Sequence, residues 1–343
     1  MEFDVMTRAD TWENTAKLAR DVESVGISGM LHTEATQVPW MTIAAAAMAA
    51  PALHHCTGIA VAFPRSPMVS AQVAWELAAN TQGQFRLGLG SQVKPHIERR
   101  YGCDFEQPAK RMRDYVLAVK AALRAFRGEG RLEHEGPFYR LTLLTPQWAP
   151  VRHDYEDIKI DMSAVNPLML KVTGEVADGL HVHPMHSMPY IENRVLPAVT
   201  EGAEKAGRTL DDIDLFVPVL AVAGDTPEER VNMAREAKTA IGFYGATPGY
   251  AFQFDDLGYE GTRMKLAEAL RAGGRDAVAE LVTDELLDQF GLVAKWDDMA
   301  DALIARYKGI ASRVVMYLAK PSIIENPANL AKWGEIAKAV RAA

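Results

Sequence analysis

Hydrophobic and polar positions along this chain group into short apolar runs separated by longer amphipathic ones, most clearly from Thr57 to Gln92. Thr57–Ala62 is an apolar run with no room for a helix before Pro64 and Pro67, so it reads as a strand. Over Met68–Thr81, Val69, Val73, Ala74, Leu77 and Ala78 recur at helical spacing, which predicts one buried face. Gly83 then breaks the helix, and Phe85–Leu89 forms a second apolar run ending in Gly-Leu-Gly-Ser. Two strands joined through a helix make a βαβ crossover, which requires a parallel sheet. Ligands of parallel sheets bind at the carboxyl ends of the strands, here Phe63–Pro67 and Gly88–Val93.

The same alternation runs from end to end. Strands are expected at Phe3–Met6, Gly29–His32, Ile158–Met162, Gly179–Val182, Leu215–Ala223 and Arg313–Leu318. Helices are expected at Thr11–Val25, Thr42–Ala50, Ala109–Phe126, Asn166–Val176, Pro189–Ala206, Pro227–Phe243 and Asn326–Arg341. In the first helix Ala16, Leu18, Ala19 and Val22 form the inner face, and Gly26 follows its end. Eight strands with intervening helices predict an α/β fold, a TIM (β/α)₈ barrel, as one domain over 1–343. Two segments exceed a minimal barrel: 128–151 after helix four, expected as a hairpin or extended loop, and 245–295 between the seventh and eighth units. Segments of that length in a compact domain are usually functional.

Bulk properties narrow the class. An apolar fraction of 48% supports a sizeable core, and the Ala-rich stretch Met41–Leu53 is too short to span a bilayer. The N-terminus begins directly in an apolar run that carries acids and lacks a basic leader, so a cytoplasmic location is expected. The net charge of −8 argues against nucleic-acid binding. Cys56 and Cys103 have no metal-type spacing and read as reduced core thiols.

Candidate chemistry gathers at the predicted strand ends. Asn166-Pro167 suits a helix start, where free N–H groups receive an anion; plain capping is the alternative. His181 and His183 share one face of strand six and His186 follows, but no carboxylate or cysteine nearby in sequence completes a metal site, so no metal is expected. His181 reads as a satisfied barrel-wall residue. The loop after strand two, His32–Trp40, offers Glu34 as an acid–base or orienting group and Trp40 as a pocket wall; a capping or salt-bridged Glu34 is the alternative. Lys94, Arg99 and Arg100 can steer a phosphate or remain surface charges. Phe243, Tyr244, Tyr250, Phe252 and Phe254 either line a substrate pocket, with Tyr244 and Tyr250 foremost, or anchor the insertion. Gly88-Leu89-Gly90 lacks the third glycine of a dinucleotide fingerprint, since Val93 stands there, so a Rossmann reading fails.

RSPMVSAQ followed by GQFRLGLGSQ, with AVNPLMLKVTGEVADGLHVHP (164–184), resembles the luciferase-like monooxygenase superfamily. AVAFPRSPMVSAQ, LGLGSQVKPHIERRYG and EVADGLHVHP are most similar to its coenzyme F420-dependent branch. The resemblance implies a TIM-barrel oxidoreductase that moves a hydride between F420, a 5-deazaflavin, and a small organic substrate. It implies a non-proline cis bond at Gly58–Ile59, with Gly58, Ile59 and Ala60 behind the cofactor ring. It implies cofactor contacts at Ala164, Val165 and Asn166, and at His183 and His186, where relatives carry a threonine and a lysine. Glu34 matches a family acid, but Ala35 stands where relatives often have histidine, and Gln92-Val93 where the branch has glutamate. Glu34, Gln92 and His96 remain as catalytic candidates. An FMN-dependent monooxygenase and a cofactor-binding barrel without turnover stay open as alternatives. Relatives are commonly homodimers.

Overall fold

A computed structural model describes residues 1–8 and 10–343. Eight parallel strands close into a barrel: β1 Glu2–Thr7, β2 Gly29–His32, β3 His54–Thr57, β4 Phe85–Gly90, β5 Ile160–Ser163, β6 Gly179–His181, β7 Asp214–Ala223 and β8 Arg313–Met316. Each pairs with the next, and β8 returns to β1 with Glu2 opposite Arg313 and Val5 opposite Met316. Helices cover the outside, and apolar clusters fill the space between them and the strands. Among the described residues no helix is long and apolar enough to cross a membrane.

Most elements lie where the pattern places them, with instructive shifts. β3 starts at His54, three residues before the expected run, because a half-buried His54 and a buried His55 occupy a strand that sequence polarity disguises. The strand is interrupted at Gly58–Ile59, whose peptide is cis, and resumes at Ala60–Val61 beside β4. The helix Pro67–Asn80 is capped by Ser66 and buries Ser70, Ala71, Ala74, Trp75, Leu77 and Ala78. Its buried face is turned from the expected one: Val69 is exposed, and Trp75 packs edge-on against Phe126. In the first helix Thr15 takes the inner place expected for Ala16.

The insertion after helix four carries a two-residue antiparallel hairpin, His134–Glu135 with Arg140–Leu141. The second insertion is mainly helical (Phe252–Asp255, Thr262–Leu281, Asp284–Phe290) and ends in a strand, Gly291–Ala294, that extends the sheet beside β7. Its own core includes Phe254, Leu266, Val278 and Phe290.

The barrel interior has a charged lower layer and an apolar layer. Below, Arg313 holds Asp4 with both oxygens at 2.6 and 2.7 Å. Arg86 holds Asp161 at 3.0 and 2.5 Å and reaches Asp214 at 2.5 Å. Above lie Met6, Leu31, Cys56, Phe216 and Val315. The Phe216 ring joins the layers, with the Arg86 and Arg313 guanidiniums 5.1 and 5.8 Å from its centre. Gly88 permits close strand approach: a Cβ there would stand 2.0 Å from the Thr57 carbonyl oxygen and 3.1 Å from His181 Nε2.

Two predictions follow from this packing. Gly88→Ala should cost about 3 kcal/mol or more by overpacking; a urea midpoint equivalent to wild type would refute the close approach. Burial lowers His32 and His54 well below their ordinary value, helped by His55 for the first and by Arg313 and Arg86 for the second, and brings His55 to about 4. The unfolded chain therefore binds more protons than the native one between its own histidine pKa, about 6.5, and the folded values. This stability is complete above that unfolded value and is lost as pH falls through the window, by up to about 1.4 kcal/mol per pH unit for each histidine. Urea titrations at pH steps across the window should show this loss, and a flat profile would contradict it.

Candidate functional site

A cavity of about 410 Å³ opens at the carboxyl ends of the strands, a size suited to a small molecule or cofactor ring. Of the residues singled out from sequence, Glu34, Gly58, Ile59, Gln92, Ala164, Val165, Asn166, His183, Tyr244 and Tyr250 line it. Ala60, His96, His186 and Trp40 do not.

The loop after β2 is held by Glu34. Its carboxylate takes two hydrogen bonds from Arg65 (2.8 and 2.7 Å), one from the Val61 N–H (2.8 Å) and one from the Tyr101 hydroxyl (3.2 Å). The side chain is 2% exposed, so this acid is a paired anchor that ties the loop to β3. The salt-bridged alternative for Glu34 therefore describes its geometry. Trp40 lies off the cavity with the Arg65 guanidinium 5.6 Å from its ring centre, so it backs the clamp.

On the opposite wall, Asn166 precedes the helix Pro167–Val176 in extended backbone but makes no side-chain cap hydrogen bond. Thr11, Ser66, Thr226 and Thr283 do cap their helices. Pro167 has no N–H and the Met169 and Leu170 N–H groups donate to the Asn166 carbonyl, so the first turn keeps the Leu168 N–H for an outside acceptor, as an anion site requires. Thr33 adds a buried hydroxyl on the cavity wall without a hydrogen-bond partner among the described residues. Together with the apolar Ile59, Val165 and Met169, these features suit a ligand that joins an anionic group to an apolar body.

The histidines divide. The Met185 N–H donates to His183 Nδ1 at 3.1 Å, so the ring proton sits on Nε2. Burial brings His183 to about 4, leaving the ring neutral near pH 7. It stacks on Tyr250 (4.4 Å) and meets Tyr244 edge-on (4.7 Å). His186 turns away, with Nδ1 on the His183 carbonyl (2.9 Å) and Nε2 facing the Tyr307 hydroxyl (3.2 Å). Both ring nitrogens are satisfied, which leaves His186 no donor for a cofactor.

Gln92 stands on the wall in a left-handed conformation, φ 59°. His96 lies exposed on the short helix Lys94–Arg99, off the cavity. Lys94 pairs loosely with Glu98, and Arg100 donates to the Ala35 carbonyl, so these cations remain on the surface or brace a loop. The aromatic cluster separates as well. Tyr244 and Tyr250 face the cavity, Phe252 packs on Tyr190, and Phe254 is buried against Phe290. Tyr317, not anticipated from sequence, joins Tyr244 through a 2.5 Å hydroxyl contact. Ser91, Ser163 and His181 complete the polar wall. The signal for Ser163 and His181 was position: each ends a barrel strand.

Comparison with known proteins agrees with this architecture. An uncharacterised protein of Mycobacterium tuberculosis (strain ATCC 25618 / H37Rv) is 33% identical over 300 residues, 88% of each chain. The 5,10-methylenetetrahydromethanopterin reductase of Methanopyrus kandleri is 25% identical over 272 residues, 76% of this chain and 75% of its own. The solved coenzyme F420-dependent tetrahydromethanopterin reductase from Methanopyrus kandleri superposes with a TM-score of 0.80 at 21% identity, covering 97% of each chain. A type II Baeyer–Villiger monooxygenase component of Pseudomonas putida in complex with FMN superposes at 0.67 and 17% identity, covering 99% of this chain and 97% of its own. The luciferase-like monooxygenase family model matches residues 1–313, and this chain belongs to that family.

Proposed function

We propose that this protein is an oxidoreductase that moves a hydride between coenzyme F420 and a small organic substrate in the cavity above the barrel. The observation that carries the reading is the uncapped start of the helix Pro167–Val176, opening into a cavity of cofactor size. Similarity to the methanopterin reductase favours the deazaflavin. When bound, F420 supplies a two-electron carrier whose ring carbon accepts or gives a hydride.

The chain's own residues bind and orient. Gly58 and Ile59 form the surface behind the ring, with Ala60 supporting them from within the core. Backbone donors around Ala164, Val165 and Asn166 receive the phosphate. His183, neutral and protonated on Nε2, donates a hydrogen bond without adding charge. Glu34 acts through Arg65 and the Val61 N–H as a positioning residue, and Gln92 offers a polar contact to the substrate.

One observation favours FMN as a second reading. No lysine or arginine lines this cavity among the described residues. F420 carries a carboxylate tail beyond its phosphate, whereas FMN ends at the phosphate. An adjoining cavity of about 670 Å³, which shares Met6 and Tyr317, does contain Arg8, Lys17 and Lys320 and offers the tail a path.

Fluorescence quenching with oxidised F420 and FMN separates the readings: F420 should bind in the micromolar range or tighter, and FMN more weakly. Preference for FMN would overturn the deazaflavin assignment, and binding of neither would overturn both. Arg65→Met should lower stability by about 3–5 kcal/mol in urea, because Glu34 is left buried without its partner. A wild-type midpoint for that variant would show that Glu34 does not depend on the pair.

A further inference from the structure

His181 ends β6 at the cavity floor and is 4% exposed. Its Nε2 lies 3.4 Å from Asp161 Oδ2 and 3.6 Å from Cys56 Sγ. Its ring stacks on Phe216 at 4.5 Å, with 5° between the planes. Nδ1 has no hydrogen-bond partner among the described residues; the ring's polar contacts are at Nε2. The sealed, partnerless ring nitrogens among the described residues belong to His32, His54, His55, His153 and Trp333, and His181 Nδ1 is absent from that set. The Nδ1 edge is therefore the part of the ring that reaches the cavity.

The ring's surroundings determine which nitrogen carries the proton. Asp161 is fully buried; burial alone would raise its carboxyl, but Arg86 and the His181 contact hold it well below the usual carboxylate range. It is thus a permanent anion facing Nε2, and the acceptor for an Nε2–H. Burial, then the Asp161 charge, pushes the Cys56 thiol well above its ordinary value, so Cys56 stays protonated. β7 contributes the uncharged Phe216, and the Arg313–Asp4 pair lies beyond it. The other ionisable groups lining the cavity are Glu34, His183, Tyr244, Tyr250 and Tyr317.

The donor atoms of Cys56, Asp161 and His181 lie within 4.8 Å of one another, close enough for a metal. Asp161 already gives both oxygens to Arg86, however, and Cys56 is a thiol, so the trio lacks the ligand charge a divalent cation needs.

We propose that His181 is the proton-transfer residue of this cavity. Asp161 keeps the proton on Nε2, and the bare Nδ1 takes the proton of a ligand O–H or N–H group, returning it in the reverse direction. The ligand's H–O or H–N bond breaks with its electron pair left on the heteroatom, the Nδ1–H bond forms, and Asp161 and Asp214, two carboxylates sharing the single Arg86, balance the imidazolium. The inference rests on the oxidoreductase reading for its purpose: removing a hydride from a carbon that bears O–H or N–H leaves that proton to be taken up. It also fills the role that Glu34, committed to Arg65, and His96, off the cavity, leave vacant. The arrangement follows the general logic of a carboxylate orienting an imidazole.

The test uses protein labelled with ¹⁵N at histidine, as wild type and His181→Gln, with imidazole nitrogen spectra recorded with and without oxidised F420. The expected result is one imidazole with a bare Nδ1 and a protonated Nε2 that is missing in the variant and shifts at Nδ1 when F420 saturates the protein. His181→Asn provides the assignment if the glutamine variant misfolds. A proton on Nδ1, or an unmoved Nδ1 signal while F420 fluorescence is quenched, would each overturn the proposal. Absence of quenching would count against the cofactor reading instead, and the tautomer would still decide the role of His181. With any short-chain alcohol or amine that reduces bound F420, the variant should lose about 100-fold in kcat, and an unchanged kcat would refute the role.

Discussion

Two guanidinium groups inside the barrel constrain the rest of the molecule. Arg86 and Arg313 are largely removed from water, so each must be paired, and Asp161 and Asp4 supply bidentate partners. This pairing links β4 to β5 and β8 to β1, while Arg86 reaches on to Asp214 in β7. The charged layer thereby helps hold the strand register at the amino end of the barrel. It also makes Asp161 a fixed anion beneath the cavity floor. Phe216, beside both guanidiniums, carries the His181 ring, so a structural ion pair and a cavity-facing imidazole belong to one packed column.

The cavity wall divides in the same way between anchored and available groups. Glu34 spends its charge on Arg65, Val61 and Tyr101, which binds the β2 loop to β3. His186 spends both nitrogens within the protein, while His183 keeps Nε2 and sets Tyr244 and, from the second insertion, Tyr250 against the mouth. What remains uncommitted is the Leu168 N–H at the helix start after Asn166, the Thr33 hydroxyl, Nε2 of His183 and the Nδ1 edge of His181. These groups lie on different strand ends, as a barrel that assembles its chemistry from many loops would place them.

The barrel was readable in advance because alternating apolar runs and amphipathic segments leave few other ways to bury both faces of the strands. The cavity wall at Ala164–Asn166 was readable too, since Asn-Pro after a strand marks a helix start. The adjustments came where polarity misled. His54 and His55 open a buried strand, and Arg86 and Asp161 interrupt apolar runs without ending them. A charge inside such a run is a usable signal, because an inward-facing ion requires a counterion on a neighbouring strand. Its partner's identity depends on register, which one strand's sequence does not contain.

The sequence by itself determined the period of the elements, the parallel sheet and the end of it where ligands gather, because these follow from local patterning and chain connectivity. Tertiary structure decided which acid is spent and which imidazole is free. Glu34 and His181 are ordinary residues in their own segments. Arg65, 31 positions from Glu34, makes the first an anchor. Asp161, 20 positions from His181 on the neighbouring strand, orients the second. Charge state and tautomer are set by neighbours in space, and only closure of the barrel brings those neighbours together.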